Sequence, residues 1–325
     1  MNTSYIVSPG KSLADVFSPD AISANTHAVN AELARVLKNV RMPDGLPNMR
    51  DAYSNGDLGL PSSPKSPAAR TITIDGPAGP IEMRVLVPAG EIRGVYLHFH
   101  GGGWMFGSND TWDQYLELFG REAGMAAVSI NYRLAPEDVF PAAVDDCVAA
   151  ANWLIDHAKE QFGSSWLAIG GESAGAHLAA LTLLRLRDAG RGDAFRAANM
   201  LFGVFDLSLT PSCRLADDTL MVNYGIIANF ASTFAGQHEL RDPAISPLYA
   251  DLRGLPPAFF TVGTIDPLVD DTLFMHSRWQ AAGNLAQLAI YPGGVHGFNS
   301  LSGDIAQAAN LGMAHFLART RDAHR

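Results

Sequence analysis

The sequence predicts an α/β fold in which helices cover both faces of a mostly parallel central sheet. From about residue 93, short apolar runs alternate with longer amphipathic segments, and the first four runs are GVYLHF, MAAVSI, SWLAIG and ANMLFGVF. Strands that alternate with helices in this way form parallel sheets that are buried on both faces. With 325 residues, 47% of them apolar, the chain can bury such a core.

The segment before residue 93 predicts a helix, a loop and a hairpin. Apolar side chains recur at helical spacing over residues 25–41, and Pro43 ends that helix. Residues 43–68 are rich in Pro, Ser, Gly and Asn, which favours a loop. Residues 70–88 alternate apolar and polar side chains around a Gly/Pro turn, which indicates a hairpin.

The alternation of strands and helices breaks at about residue 206. Residues 206–243 separate two predicted strands without supplying one obvious crossover helix, and they are rich in apolar and aromatic side chains. We interpret this stretch as an inserted helical segment. The alternation then resumes with the strand PPAFFTVG, the helix LVDDTLFMHSRWQAAG, the strand LAQLAIYP and the helix IAQAANLGMAHFLART.

Composition and charge exclude several classes of function. The formal net charge is −10 and no run of Lys or Arg occurs, so we expect no nucleic-acid partner. The sequence contains no stretch of 18 or more apolar residues, so we expect no membrane span. The first residues lack the apolar core of a signal peptide, and we therefore expect a cytoplasmic protein. The two cysteines, Cys147 and Cys213, are too few for a disulfide framework.

A G-x-S-x-G motif, GESAG, occupies residues 171–175. It follows the predicted strand SWLAIG and opens a helix, which is the context in which this motif lifts a serine hydroxyl clear of the sheet. The small flanking residues let the strand and the helix pass close to the turn. The motif predicts that Ser173 is a nucleophile, which requires a base to take its proton.

Ten histidines compete for the role of that base. His296 stands in a glycine-rich loop after a predicted strand, at the sheet edge where α/β proteins place their chemistry. His177 and His157 are expected to be held within helices. His98 and His100 alternate in a strand, and no further Cys/His ligand set supports a metal site there. The sequence therefore favours His296, and we expect no metal.

The third member of such a site is a carboxylate that fixes the tautomer of the histidine. Asp266 stands just past the end of the predicted strand AFFTV, and Pro267 follows it. Asp270 and Asp271 are rivals, but we expect them in the next helix, where they would stabilise its first turn through the helix dipole. The sequence therefore favours Asp266.

HGGGW, residues 100–104, places three glycines at the end of a predicted strand. A dinucleotide site needs G-x-G-x-x-G, and counting from Gly101 its third glycine would fall on Phe106. A P-loop ending at Gly10-Lys11-Ser12 would need a glycine where Tyr5 stands. Both patterns are incomplete, and we reject both readings.

Five motifs in order carry a resemblance to a known family: HGGGW, NYRLAPE, GESAG, DPLVDD and HGF. Together they resemble the bacterial hormone-sensitive-lipase-like (family IV) carboxylesterases of the α/β-hydrolase superfamily, over about residues 70–320. The order Ser173, Asp266, His296 is also the chain order of α/β-hydrolases. The family commonly has GDSAG or GTSAG around the nucleophile, whereas this chain has GESAG, with Glu172 at the variable position.

The resemblance implies an oxyanion hole and a helical cap. Backbone N–H groups of Gly102, Gly103 and Ala174 would form the hole, and His100 would orient its loop. Residues 1–68 and 207–245 would form the two parts of the cap, and residues 69–206 and 246–325 the catalytic domain. Arg133 and Glu137 would belong to a structural network beneath the site. Many members of the family are dimers; the sequence leaves the oligomeric state open.

The predicted function is serine-dependent hydrolysis of short- to medium-chain carboxylic esters without a metal or organic cofactor. An amide or formamide hydrolase with the same three residues is the alternative within enzymes. A non-catalytic small-molecule receptor on the same fold is the alternative outside enzymes, and loss of the histidine would be its mark. Candidate substrate-binding residues are aromatic, although core packing explains them equally well: Trp104, Phe106, Tyr224, Phe230 and Phe298.

Overall fold

The structure, a computed structural model, describes residues 12–59 and 64–323. Residues 1–11, on which the expected cytoplasmic start and most of the rejected P-loop fall, lie outside the described residues, as do residues 60–63 and 324–325.

The fold is built on an eight-stranded sheet with the order β1-β2-β4-β3-β5-β6-β7-β8. β1 pairs with β2 and β2 with β4 in antiparallel fashion, whereas all other neighbours are parallel. The strands are β1 (Arg70–Gly76), β2 (Gly79–Leu86), β3 (Gly94–Phe99), β4 (Met125–Ile130), β5 (Leu167–Glu172), β6 (Phe195–Leu201), β7 (Ala258–Gly263) and β8 (Ala286–Tyr291). The mostly parallel sheet and the hairpin were both predicted.

Ten α-helices surround the sheet within the described ranges. They are α1 (Leu13–Phe17), α2 (Ala24–Leu37), α3 (Leu46–Asn55), α4 (Asp113–Ala123), α5 (Ala142–Phe162), α6 (Ala174–Asp188), α7 (Pro211–Arg214), α8 (Tyr224–Ala235), α9 (Val269–Ala281) and α10 (Asp304–Asp322). Every residue of β3, β4, β5 and β7 is buried, as expected for strands that are covered on both faces.

The prediction of a loop over residues 43–68 was wrong for its first part, because α3 lies there. Proline is tolerated in a first helical turn, where Pro47 stands, and Gly56 ends the helix in the left-handed conformation with φ 81°. Tyr53 packs against the ring of Phe106, and Met49 packs against the cluster of Met105, Phe106 and Ala135. Residues that read as loop punctuation in one dimension therefore start and stop a short helix.

α2 packs on the loop that follows β8. The Asn30 side chain donates to the Gly293 carbonyl oxygen over 2.8 Å. A Cβ at Gly293, where φ is 73°, would lie 2.6 Å from a methyl group of Ile22. α7 and α8 are the α-helices of the insertion between β6 and β7.

Candidate active site

Ser173 sits at the sharp turn between β5 and α6, with φ 57° and ψ −119°. A non-glycine residue in this region is strained, and strain of this kind collects at functional sites. A Cβ at Gly171 or at Gly175 would overlap the carbonyl oxygen of Phe99 on the neighbouring strand. The GESAG glycines therefore permit the close passage of backbone that the serine turn requires.

The structure brings Ser173, His296 and Asp266 together. His296 Nε2 lies 3.0 Å from Ser173 Oγ, and its Nδ1 lies 3.1 and 3.0 Å from the two carboxylate oxygens of Asp266. The carboxylate accepts, so Nδ1 carries the proton and Nε2 is free to accept from the serine hydroxyl. Asp266 is buried and also accepts from the Leu268 N–H.

The loops that carry the acid and the histidine pack backbone against backbone. Ile265 N–H donates to the Gly294 carbonyl, and Gly293 N–H donates to the Thr264 hydroxyl over 2.8 Å. A Cβ at Gly263 would overlap the Gly294 carbonyl. This contact holds the two loops at a constant separation.

The HGGGW loop folds as a tight turn over Ser173. Gly102 and Gly103 have φ values of 116° and 60°, and the Gly102 carbonyl accepts from the N–H of Phe106. The N–H groups of Gly102, Gly103 and Ala174 donate to no other protein group among the described residues. Free N–H groups of this kind can bind an anion or a carbonyl oxygen.

His100 holds this loop and is not a base. Its Nδ1–H donates to the Gly101 carbonyl over 2.8 Å, its ring stacks on Tyr132 at 4.2 Å between centroids, and the Tyr132 hydroxyl donates to its carbonyl. Complete burial lowers the pKa of His100 to about 3, which keeps the ring neutral.

Two further histidines are buried and engaged elsewhere. His98 bonds through Nδ1 to Ser129 and through Nε2 to Glu172, so both nitrogens are used. His177 accepts from the Trp104 indole and donates to the Ile245 carbonyl, and burial lowers its pKa to about 4. Both histidines act as structural groups, as expected.

Asp270 and Asp271 lie in the first turn of α9 as predicted, and they also bind residues outside that helix. Both Phe205 N–H and Asp206 N–H donate to Asp271, as does the hydroxyl of Thr210, while Asp270 accepts from the N–H of Ser212. Burial raises the pKa of Asp271 to about 7. These carboxylates therefore bind the first residues of the insertion, a contact that a helix-dipole argument does not foresee.

Arg133 and Glu137 lie outside the cavity. Arg133 forms a two-pronged ion pair with Asp146, at 2.8 and 2.9 Å. Glu137 pairs with Arg50 of α3, which also donates to the Met105 carbonyl. The sequence did not predict a role for Arg50, because residues 43–68 were predicted to be a loop. In the structure Arg50 connects α3 to the residue that follows HGGGW.

Three comparisons place this geometry among known proteins. Residues 96–300 match a family described as having the alpha/beta hydrolase fold. Esterase LipI of Mycobacterium tuberculosis (strain ATCC 25618 / H37Rv) is 33% identical over 305 residues, which are 88% of this chain and 93% of LipI. The carboxylic ester hydrolase LipN of the same organism is 35% identical over 240 residues, covering 71% of this chain and 64% of LipN.

Solved structures agree with the sequence relatives. A hyperthermophilic esterase from the archaeon Pyrobaculum calidifontis superposes with a TM-score of 0.79 at 29% identity, over 89% of this chain and 97% of that one. An esterase from the bacterial hormone-sensitive lipase family gives a TM-score of 0.78 at 29% identity, over 92% and 99%.

The chain belongs to the hormone-sensitive-lipase-like family of carboxylesterases within the α/β-hydrolase superfamily. As a carboxylesterase it hydrolyses carboxylic esters. No helix in residues 12–59 and 64–323 is both long and apolar enough to cross a membrane.

The esterase has a cavity of about 550 Å³ above Ser173 and His296. Trp104 and Phe106 line it, but Tyr224 and Phe298 do not, in contrast to the expectation. Tyr224 is 41% exposed on α8, and Phe298 is buried against Phe202 and Tyr291. The remaining candidate, Phe230, lines the cavity from α8.

Most of the cavity-lining side chains that the sequence did not single out are apolar. Leu37, Val40, Met42, Met49, Met221 and Ile227 are among them. Leu37 and Val40 belong to the apolar stripe that predicted the first helix, so that stripe was the available signal. A larger groove of about 1010 Å³ shares Tyr53 and Trp112 with the cavity, but Ser173, Asp266 and His296 do not line it.

Proposed function

We propose that Ser173, His296 and Asp266 are a catalytic triad that hydrolyses short- to medium-chain esters through an acyl-enzyme. The observation that carries this proposal is the 3.0 Å contact between Ser173 Oγ and His296 Nε2, with Asp266 at the opposite nitrogen. A base within hydrogen-bond reach of a serine is the geometry of an activated nucleophile.

In the first step Ser173 Oγ attacks the ester carbonyl carbon while its proton passes to His296 Nε2. Asp266 stabilises the resulting imidazolium through the Nδ1–H bond. The carbonyl oxygen becomes an oxyanion, which the N–H groups of Gly102, Gly103 and Ala174 receive. When the tetrahedral intermediate collapses, the C–O bond to the alcohol breaks and His296 returns the proton to the alcohol oxygen.

In the second step water attacks the acyl-enzyme. His296 takes a proton from the water, and the tetrahedral intermediate uses the same three N–H groups. Its collapse releases the acid and returns the proton to Ser173. Each donor of such a hole is typically worth about 2.7–4 kcal/mol of transition-state stabilisation. Every proton and electron pair is accounted for by these residues, the ester and water.

The proposed substrate range rests on the cavity. Its volume of about 550 Å³ and its lining of Leu, Val, Met, Ile and Phe side chains suit an acyl chain of modest length. We also propose that residues 1–68 and 207–245 form the cap, because α2, α3 and α8 supply lining residues from those two stretches.

A homodimer, frequent in the family, is the proposed assembly, and light scattering on the purified protein would measure its mass.

Ser173→Ala tests the proposal directly. Turnover of p-nitrophenyl acetate should fall by at least about 10³-fold, because the nucleophile is gone, while the circular dichroism spectrum stays unchanged. Ser165→Ala, at an exposed serine before β5, is the matched control and should retain wild-type activity. Residual activity above a few per cent in Ser173→Ala would contradict the assignment.

Two additions separate the alternatives. A sulfonyl fluoride should label Ser173 in the wild-type protein, whereas absence of labelling and turnover in folded protein would favour the receptor. A series of p-nitrophenyl esters of increasing chain length, with one matching anilide, should show ester preference and an optimum at short to medium chains. Faster cleavage of the anilide would favour the amidase.

A further inference from the structure

Glu172 is a buried carboxylate that the proposed mechanism does not use. It is the last residue of β5, directly before Ser173, and it is 2% exposed. A buried carboxylate is unfavourable unless hydrogen-bond donors satisfy its oxygens. The identity of those donors therefore indicates what the side chain does.

The two oxygens of Glu172 bind two different elements. Oε1 accepts from the Gly101 N–H at 2.6 Å, and Oε2 lies 2.8 Å from His98 Nε2. His98 is held in turn by the hydroxyl of Ser129 on β4, at 2.9 Å from Nδ1. The carboxylate thus joins the end of the nucleophile strand to the first glycine of the HGGGW turn.

Gly101 is held on both sides. Glu172 holds its N–H, and His100 Nδ1–H donates to its carbonyl oxygen at 2.8 Å. The Gly101 carbonyl and the Gly102 N–H belong to one planar peptide unit and point in opposite directions. Fixing the carbonyl therefore fixes the direction of the Gly102 N–H, the first donor of the proposed oxyanion hole.

The backbone of Glu172 restrains the same glycine. A Cβ at Gly101 would lie 2.9 Å from the Glu172 carbonyl oxygen, closer than side chains tolerate. Glycine at 101 and glutamate at 172 therefore form one contact, in which the Glu172 backbone sets the closest approach and its carboxylate fixes the peptide unit between His100 and Gly101.

We propose that Glu172 is a positioning residue for the oxyanion hole. Its carboxylate holds Gly101, where the turn that carries the N–H groups of Gly102 and Gly103 begins, at a fixed position relative to Ser173, the next residue in the chain. This inference rests on the proposed function, because it presumes that those N–H groups receive the oxyanion. A misplacement of 1 Å at such a site can cost about 10²-fold in rate.

Two substitutions separate alignment from simple stability. Glu172→Leu has similar size but no acceptor, so the Gly101 N–H loses its partner. Glu172→Gln keeps one oxygen for that N–H and should rescue the defect. Ser129→Ala is the matched control: it removes a buried hydrogen bond from the same network without touching Gly101.

Three quantities are measured: kcat, KM and the Ki of a trifluoromethyl ketone. The concentration of active sites, which kcat requires, is determined by titration with a fluorophosphonate. The Ser173 oxygen adds to the ketone carbon, its proton goes to His296, and the ketone oxygen becomes an oxyanion. Glu172→Leu should lower kcat about 10–100-fold with KM changed less than about 3-fold, and raise Ki by the same factor as kcat falls. Glu172→Gln and Ser129→Ala should stay within about 5-fold of wild type in kcat and Ki.

Should Glu172→Leu not fold, Glu172→Asp replaces it, because a side chain one methylene shorter does not reach both donors. It should then lose about 3–30-fold in kcat and in ketone affinity alike. Unchanged ketone Ki in a folded Glu172→Leu or Glu172→Asp enzyme overturns the inference and leaves the triad intact. Full activity of Ser173→Ala would instead overturn the proposed function, so the two failures are distinguishable.

Discussion

The two walls of the substrate cavity are built from different interactions. The wall on the sheet side carries backbone turns and polar side chains that hydrogen bonds hold in place, around Ser173, His296 and Gly101, next to buried aromatic side chains such as Trp104. The opposite wall, on the side of the proposed cap, is lined mostly by apolar side chains such as Leu37, Ile227 and Phe230. Hydrogen bonds demand particular atoms at particular angles, whereas apolar contacts demand mainly volume.

This difference separates chemistry from selectivity. A change on the sheet side should damage the rate for every substrate, because it displaces a reacting group. A change on the cap side should alter which substrate fits and leave the reacting groups where they are. Gly103 lies where the walls meet, because a Cβ there would overlap the ring of Phe230.

Asp266→Asn should give the largest effect of the changes that test this comparison. The amide can donate to His296 Nδ1, which then carries no proton, so Nε2–H cannot accept the serine proton. We expect kcat to fall about 10³–10⁴-fold for all chain lengths. Asp270→Asn, four residues away and bound to Ser212, should stay within a few-fold. More than a tenth of wild-type kcat in Asp266→Asn would refute the assignment of the acid.

Gly103→Ala tests the meeting point of the walls. The new methyl group collides with Phe230, and φ of 60° is strained for alanine, so we expect kcat to fall about 10–100-fold. The double variant Gly103→Ala/Phe230→Ala should recover part of the loss, because the collision is gone and only the strain remains. A double-mutant cycle with no coupling between the two positions would contradict this contact.

Phe230→Ala tests the cap side alone. Removal of the ring widens the cavity, so the ratio of kcat/KM for a longer ester to that for the acetate should rise about 3–10-fold, with kcat on the acetate nearly unchanged. Tyr224→Ala is the matched control on the same helix, outside the cavity lining. Equal chain-length profiles for Phe230→Ala and the wild type would show that this wall does not select the substrate.

Asp271→Asn tests the root of the insertion and should give the smallest effect, on stability rather than rate. Burial raises the pKa of Asp271 to about 7 in the folded protein, whereas its ordinary pKa is 3.8. The folded state then binds more protons between these values, so stability falls as pH rises across that window, by up to about 1.4 kcal/mol per pH unit from this group.

The asparagine variant cannot ionise and should lack that slope. Urea unfolding at pH 5 and pH 7.5 gives the free energy of unfolding of both proteins. The difference between the wild type and the variant should be smaller at pH 7.5 than at pH 5. A constant difference between the two proteins at both pH values would show that Asp271 does not titrate in this window.

The sequence alone determined the fold class and the identities of the three central residues. Buried parallel strands are apolar along their whole length, and the ends of those strands carry recognisable turns, so GESAG, Asp266 and His296 could each be placed at the same edge of the sheet. The glycines of HGGGW could be explained in the same way, since bare backbone is itself a signal.

Only the tertiary structure decided the partners of each side chain. It placed Phe230 in the cavity and Tyr224 outside it, although both stand on one helix. The apolar periodicity of a helix does not determine how that helix is rotated about its axis relative to the sheet. It also gave Glu172 its contact with Gly101 and Asp271 its contact with Thr210. These pairs are 71 and 61 residues apart in the chain. Local patterns report spacing along one segment, whereas such contacts depend on how separate segments pack.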